Sequence, residues 1–130
     1  MEGRIQLKRV YDQPTEQDGT RFLVERFWPR GMTKSSLADA QWLRDVAPSA
    51  ELREWFHHDP KRWNEFRRRY FAELKHQRDS LSPILDAARN GRVTLLYSSH
   101  DTEHNNAMAL REFLQHLLRP ADPASCLCLQ

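Results

Sequence analysis

Apolar and polar positions recur along this chain with two different periods, and the sharpest change of period lies between Arg92 and Arg119. Val93-Thr94-Leu95-Leu96-Tyr97 is an apolar run of strand length, and everything from Ser98 to Asn106 is polar. Leu110, Phe113, Leu114, Leu117 and Leu118 then follow the i, i+3, i+4, i+7, i+8 spacing that places one apolar stripe on a helix. This pattern predicts strand, polar loop and helix. Ligands of open α/β sheets bind beyond the carboxyl ends of the strands, where loops run into helix N-termini, so the polar segment is the first place to look for chemistry.

The rest of the chain is patterned more weakly. Ile5, Leu7, Val10 and Tyr11 predict a strand over 5–11, followed by a loop from Asp12 to Thr20 that contains Pro14 and the turn pair Asp18-Gly19. A second strand is expected over Arg21–Trp28, ended by Pro29 and Gly31, with Phe22, Val24, Arg26 and Trp28 on one face and Leu23, Glu25 and Phe27 on the other. Each face then carries one charge near the strand's carboxyl end, where a charge must be paired or stand at the rim. Short helices are expected at about 34–43, capped by Thr33 or Ser35, and after Ser49, where Leu52, Trp55 and Phe56 share a side up to His57-His58. Asp59-Pro60 is an N-cap acid followed by a proline at the first helical position, and starts a helix reaching about Gln77. Its apolar face is Trp63, Phe66, Tyr70, Phe71 and Leu74, interrupted by Arg67. Lys61, Arg62, Arg68, Arg69 and Lys75 lie opposite. A further helix is expected from Ser82-Pro83 to Asn90-Gly91.

Alternating strands and helices indicate the α/β class: a single three-layer domain over 1–120, with a small, mostly parallel sheet and helices on both faces. Residues 121–130, with Pro123, Cys126 and Cys128, read as a flexible tail with reduced thiols. About nine residues join the first two strands, fewer than a parallel crossover usually needs, so this pair is open to either direction.

With 39% hydrophobic and 29% charged residues the composition is that of a globular domain, and no apolar run approaches the ~20 residues of a membrane span. The N-terminus shows no apolar secretory segment, so a cytoplasmic location without membrane contact is expected. A formal charge of +2 is too small to imply a nucleic-acid partner by itself.

Several segments together resemble a known family: Lys8-Arg9-Val10-Tyr11-Asp12, Val24 to Gly31, Ala47-Pro48-Ser49, Leu52-Arg53-Glu54-Trp55-Phe56 and Thr94-Leu95-Leu96-Tyr97. In order and spacing they are similar to the YeaO-like branch of a bacterial domain-of-unknown-function family, over roughly Ile5 to Leu117. The resemblance implies a compact cytosolic α/β domain without an assigned activity. Relatives in the wider family tend to carry a Cys-containing loop and a Cys-His-Arg segment after the last strand. Here the matching positions read Ser98-Ser99-His100-Asp101 and Glu103-His104-Asn105, so any thiol chemistry of those relatives has no counterpart at these positions.

Candidate chemistry falls into four groups. His100, Asp101, Glu103 and His104 are metal-ligand types, but Asp101 suits a helix cap and Glu103 a first turn, so capping is the main reading and no metal or other cofactor is expected. Ser98 or Ser99 with His100 and Asp101 has the residue types of a hydrolytic triad without its geometry, since adjacent residues do not form that relay. Arg26, Arg30 and Arg67, with Lys8 and Arg9 on the neighbouring strand, could grip phosphate at the rim of the sheet; the alternative is pairing with internal acids such as Glu25, Asp45 or Asp101. Trp28, Trp42, Trp55 and Trp63 could stack nucleobases, although helical spacing marks such aromatics first as core.

The leading expectation is a domain that binds or processes a small anionic, phosphorylated ligand through Lys8, Arg9, Arg26, Arg30, Arg67 and Asn105. Asp101 and His104 are the proton-transfer candidates. The alternative is a nucleic-acid or protein interaction module that uses the basic side of the 60–77 helix.

Overall fold

The structure, a computed structural model, describes residues 5–118; the expected tail and both cysteines lie outside the described residues. Four parallel strands form one sheet: β1 (Ile5–Arg9), β2 (Thr20–Leu23), β3 (Ala40–Trp42) and β4 (Val93–Tyr97), in the order β1-β4-β2-β3. The α-helices are α1 (Ala50–Phe56), α2 (Trp63–Leu74), α3 (Arg78–Asn90) and α4 (Asn106–Leu118).

The question left open for the first two strands is answered by β4, which lies between them. Leu7 stands beside Leu95 and Phe22 beside Leu95 on the other side, so both outer strands run parallel to the central one. Ten residues, 10–19, carry the chain over β4. They close with a 3-10 turn, Glu16–Asp18, whose Asp18 carbonyl accepts the buried Thr94 hydroxyl at 2.7 Å.

Period-two alternation separates two cores. Ile5, Phe22, Val93, Leu95 and Tyr97 pack with residues of all four α-helices, including Phe66, Tyr70, Ile84 and Leu114. Leu23 and Leu96 point the other way and pack with Val10 and Leu37, the latter from the 3-10 turn Ser35–Leu37. The three layers are therefore unequal: a full α layer on one face and short 3-10 turns with loops on the other. This second face also holds a buried ion cluster, in which Asp18 takes Lys8 Nζ at 3.0 Å and lies 3.6 Å from Arg21 Nε, while Arg21 reaches Asp39 at 2.6 Å.

Five boundaries depart from the expected ones. The first strand ends at Arg9 rather than Tyr11, where a turn closes with the Asp12 N–H on the Arg9 carbonyl at 3.0 Å. The second strand stops at Leu23, because β4 offers its last regular partner at Leu96; after Val24 the chain leaves the sheet. The helix expected over 34–43 is instead the 3-10 turn at 35–37 followed by β3, since Ala40 and Trp42 alternate with exposed Gln41 and pair with Arg21 and Leu23. Pro60–Arg62 forms a separate 3-10 turn before α2, which ends at Leu74. Helix α3 begins at Arg78 and contains Pro83, because burying Leu81 and Ile84 completely outweighs one missing ladder hydrogen bond.

Candidate functional site

The carboxyl ends of β2 and β4 open under the N-terminus of α4. Asp101 builds the approach: its Oδ1 accepts the Glu103 and His104 N–H groups at 2.9 and 3.0 Å, and its Oδ2 lies 3.0 Å from His104 Nδ1. The Glu103 N–H bond, opposed by burial and helped by the His104 backbone and ring, holds the Asp101 carboxyl below the usual carboxylate range. Asp101 thus caps the turn before the helix, and Asn105 caps the helix itself, accepting from Met108 N–H at 2.8 Å while donating to the Asp101 carbonyl at 2.9 Å. Asn106 ties the helix start to β2 through its amide on the Val24 carbonyl at 2.6 Å.

Beside this helix start is a cleft of about 360 Å³. Phe56, Phe66 and Pro48 supply its apolar wall, and Arg53, Glu54, His57 and His58 come from the end of α1. Ser99, His104, Asn105 and Asn106 close it from the loop after β4. The α1 end is unusual: His57 and His58 both have positive φ, 47° and 54°. Such conformations cost energy for residues with a side chain and gather at binding and catalytic sites. His104 is braced edge-on against Trp63, with ring centroids 5.3 Å apart.

Arg53 is the cation that faces the cleft. Its guanidinium lies over the exposed Phe27 ring, 5.1 Å from the centroid, and makes no hydrogen bond or close ion pair with another described residue. Within reach of its charge is Glu25, only 6% exposed, which accepts the Ser98 N–H at 3.2 Å. Burial raises the Glu25 pKa, against the pull of that N–H and of Arg53.

The residues singled out from sequence are distributed more widely than one site. Asp101, His104 and Asn105 stand together at the cleft. Arg26 does not join them: it donates to the Pro48 and Ala47 carbonyls at 2.8 and 3.2 Å and lines a second cleft of about 320 Å³ with Tyr70, Glu73 and His76. Arg67 forms a two-pronged pair with Glu112 between α2 and α4. Lys8 is held by Asp18 on the opposite face, and Arg30 is exposed. Arg9 is close to the site but engaged, donating to the Ser99 and Ser98 carbonyls at 3.0 and 3.3 Å, with His100 Nδ1 at 3.4 Å. Sequence reasoning passed over Arg53, His57 and His58; the signal was a basic residue one turn before a helix end that stops on two histidines. Among the described residues no group of three or more His, Cys, Asp or Glu is placed to hold a metal ion.

The basic side of α2 is partly neutralised, with Glu65 taking both Arg68 and Arg69. These two bonds hold the partly exposed Glu65 carboxyl down at about 2. Arg62 and Arg69 lie over the Trp55 ring, at 5.2 and 4.2 Å.

A family model described as the inactive DUF488-N3 subclade matches residues 4–130. The chain belongs to that family. Among curated relatives, this YeaO-like chain is 42% identical over 113 residues to the uncharacterised protein YeaO of Escherichia coli K12, covering 87% of this chain and 98% of the relative. Uncharacterised proteins of Mycobacterium bovis and Mycobacterium tuberculosis are 38% identical over the same length, covering 95% of their own chains. No solved structure matches the chain significantly. Among the described residues of this family member, no helix is long and apolar enough to cross a membrane.

Proposed function

We propose that this protein binds a small anionic, phosphorylated ligand in the cleft between the end of α1 and the start of α4, and that it acts as a binding domain. The observation that carries the reading is Arg53. Its fork of N–H donors lines the cleft and makes no hydrogen bond with another described residue, whereas Arg26, Arg67 and Arg9 are engaged with internal groups. A guanidinium stacked on an aromatic ring keeps its edge free for two parallel hydrogen bonds to phosphate. The helix start at Asn105 and Asn106 adds favourable potential for an anion, and Asp101 fixes the ring of His104 beside it. Binding without turnover accords with the subclade's description as inactive and with serines at the positions after β4.

The test is thermal unfolding with and without millimolar inorganic phosphate or small phosphate esters. A ligand present at ten times its Kd should stabilise by about 1.4 kcal/mol. Arg53→Ala should lose that protection and Arg67→Ala should keep it. Equal protection of wild type and Arg53→Ala would refute the assignment.

A further inference from the structure

Given the anion-binding reading above, on which this inference rests, we infer that the ligand joins its phosphate to a planar aromatic ring. The cleft is built in two halves. The rim holds Arg53 and the capped start of α4, while the wall is made of rings: Phe56 and Phe66 are stacked, with centroids 4.4 Å apart and planes 26° from parallel. His58 is tilted at 51° to Phe56, 6.4 Å away, and His104 stands at 83° to Trp63. Two imidazoles, His58 and His104, therefore line the same cleft as the stacked Phe56 and Phe66 rings. Inorganic phosphate alone would satisfy the rim and leave the apolar part of the cleft unfilled.

Size agrees with this division. A cleft of about 360 Å³ lies at the lower end of ligand-pocket volumes, and exceeds what a lone phosphate needs. Aromatic guests gain from offset or edge-to-face packing on rings beyond the area they bury, so flat and saturated guests of equal size should be distinguished. The left-handed turn at His57 and His58 is what brings the second imidazole to the mouth, since a helix continued past Phe56 would carry these side chains elsewhere.

The experiment is calorimetric titration of the full chain with three probes: inorganic phosphate, cyclohexyl phosphate and phenyl phosphate. Phenyl phosphate should bind at least tenfold tighter than inorganic phosphate and about threefold or more tighter than cyclohexyl phosphate. Arg53→Ala should weaken all three, and His58→Ala, whose ring is exposed and outside the core, should reduce only the preference for phenyl. Equal affinity for phenyl and inorganic phosphate, or for phenyl and cyclohexyl phosphate, would overturn the aromatic assignment and leave the anion site standing. Failure of all three to bind would overturn both.

Discussion

Replacing His57 by glycine should make the protein more stable and its cleft less competent. His57 ends α1 at φ 47° and ψ 39°, with its N–H on the Arg53 carbonyl at 3.0 Å. An L side chain held there costs about 1–2 kcal/mol, because Cβ crowds the following carbonyl. Glycine escapes that cost and is the usual residue at such a helix end, but the unfolded chain regains freedom worth about 0.5–1 kcal/mol. The imidazole is exposed and makes no hydrogen bond, ion pair or ring contact with another described residue, so little else is lost. The balance is a gain of about 0.5–1 kcal/mol. A kcal/mol moves the melting temperature by about 4–8 °C in a 60–100-residue domain and less in longer chains, so a rise of about 2–5 °C is expected. Urea unfolding followed by tryptophan fluorescence gives the free energy, and an unchanged m-value would show that the end states are the same. His57→Ala is the control, since it removes the ring and keeps the backbone cost. If His57→Gly is no more stable than His57→Ala, the strain argument fails. If both variants retain full protection by phosphate, the ring has no place in the site.

Other substitutions probe the scaffold. Gly19→Ala should cost about 3 kcal/mol or more, because Gly19 sits at φ 67° and an added Cβ would overlap the Arg92 carbonyl; an unfolding midpoint near wild type would contradict this. Tyr70→Phe should cost about 1–2 kcal/mol, since the fully buried hydroxyl donates to the Val46 carbonyl and the isosteric change leaves that oxygen bare; a neutral effect in urea would count against it. Arg67→Ala should cost about 1 kcal/mol or less, because its pair with Glu112 is 28% and 38% exposed; a double-mutant cycle measures the coupling, and a much larger value would mean that the pair is structural. Glu25 carries a pH signature. Its folded pKa lies above the ordinary 4.5, so its contribution is fully present below that value and is lost as pH rises through the folded value. The stability of Glu25→Gln relative to wild type should therefore grow as pH rises above about 4.5, and a flat difference across urea titrations would reject buried ionisation.

The α/β class, the order of the main elements and the central strand with its following helix were legible because they rest on long, periodic burial. Leu110, Phe113 and Leu114 are buried where their spacing puts them, and Val93 to Tyr97 is buried throughout, as a central parallel strand must be. The misreadings have two causes: segments too short to display a period, and boundaries set by partners elsewhere in the fold. Three residues of β3 cannot show alternation against a helical alternative, and Pro83 reads locally as a start when distant packing of Leu81 extends the helix backwards. The position of β4 between β1 and β2 is a pairing over some 70–90 residues of sequence, which no local pattern carries.

The arginines show why a site is harder to read than a fold. Arg26 and Arg67 stand out in sequence because they interrupt apolar faces, and that same placement supplies them with internal partners: loop carbonyls for Arg26 and Glu112 for Arg67. A cation on an otherwise apolar face must be compensated inside the fold, so its conspicuousness argues for an internal partner. Arg53 looks ordinary in sequence, one basic residue among several on a short helix. Its free fork is visible only once the turn at His57 and His58, the Phe27 ring and the start of α4 have been assembled around it. Among these arginines, those that break an apolar stripe are engaged with groups of the domain itself, and the one resting on an exposed ring at the mouth of a cleft is left available to a ligand.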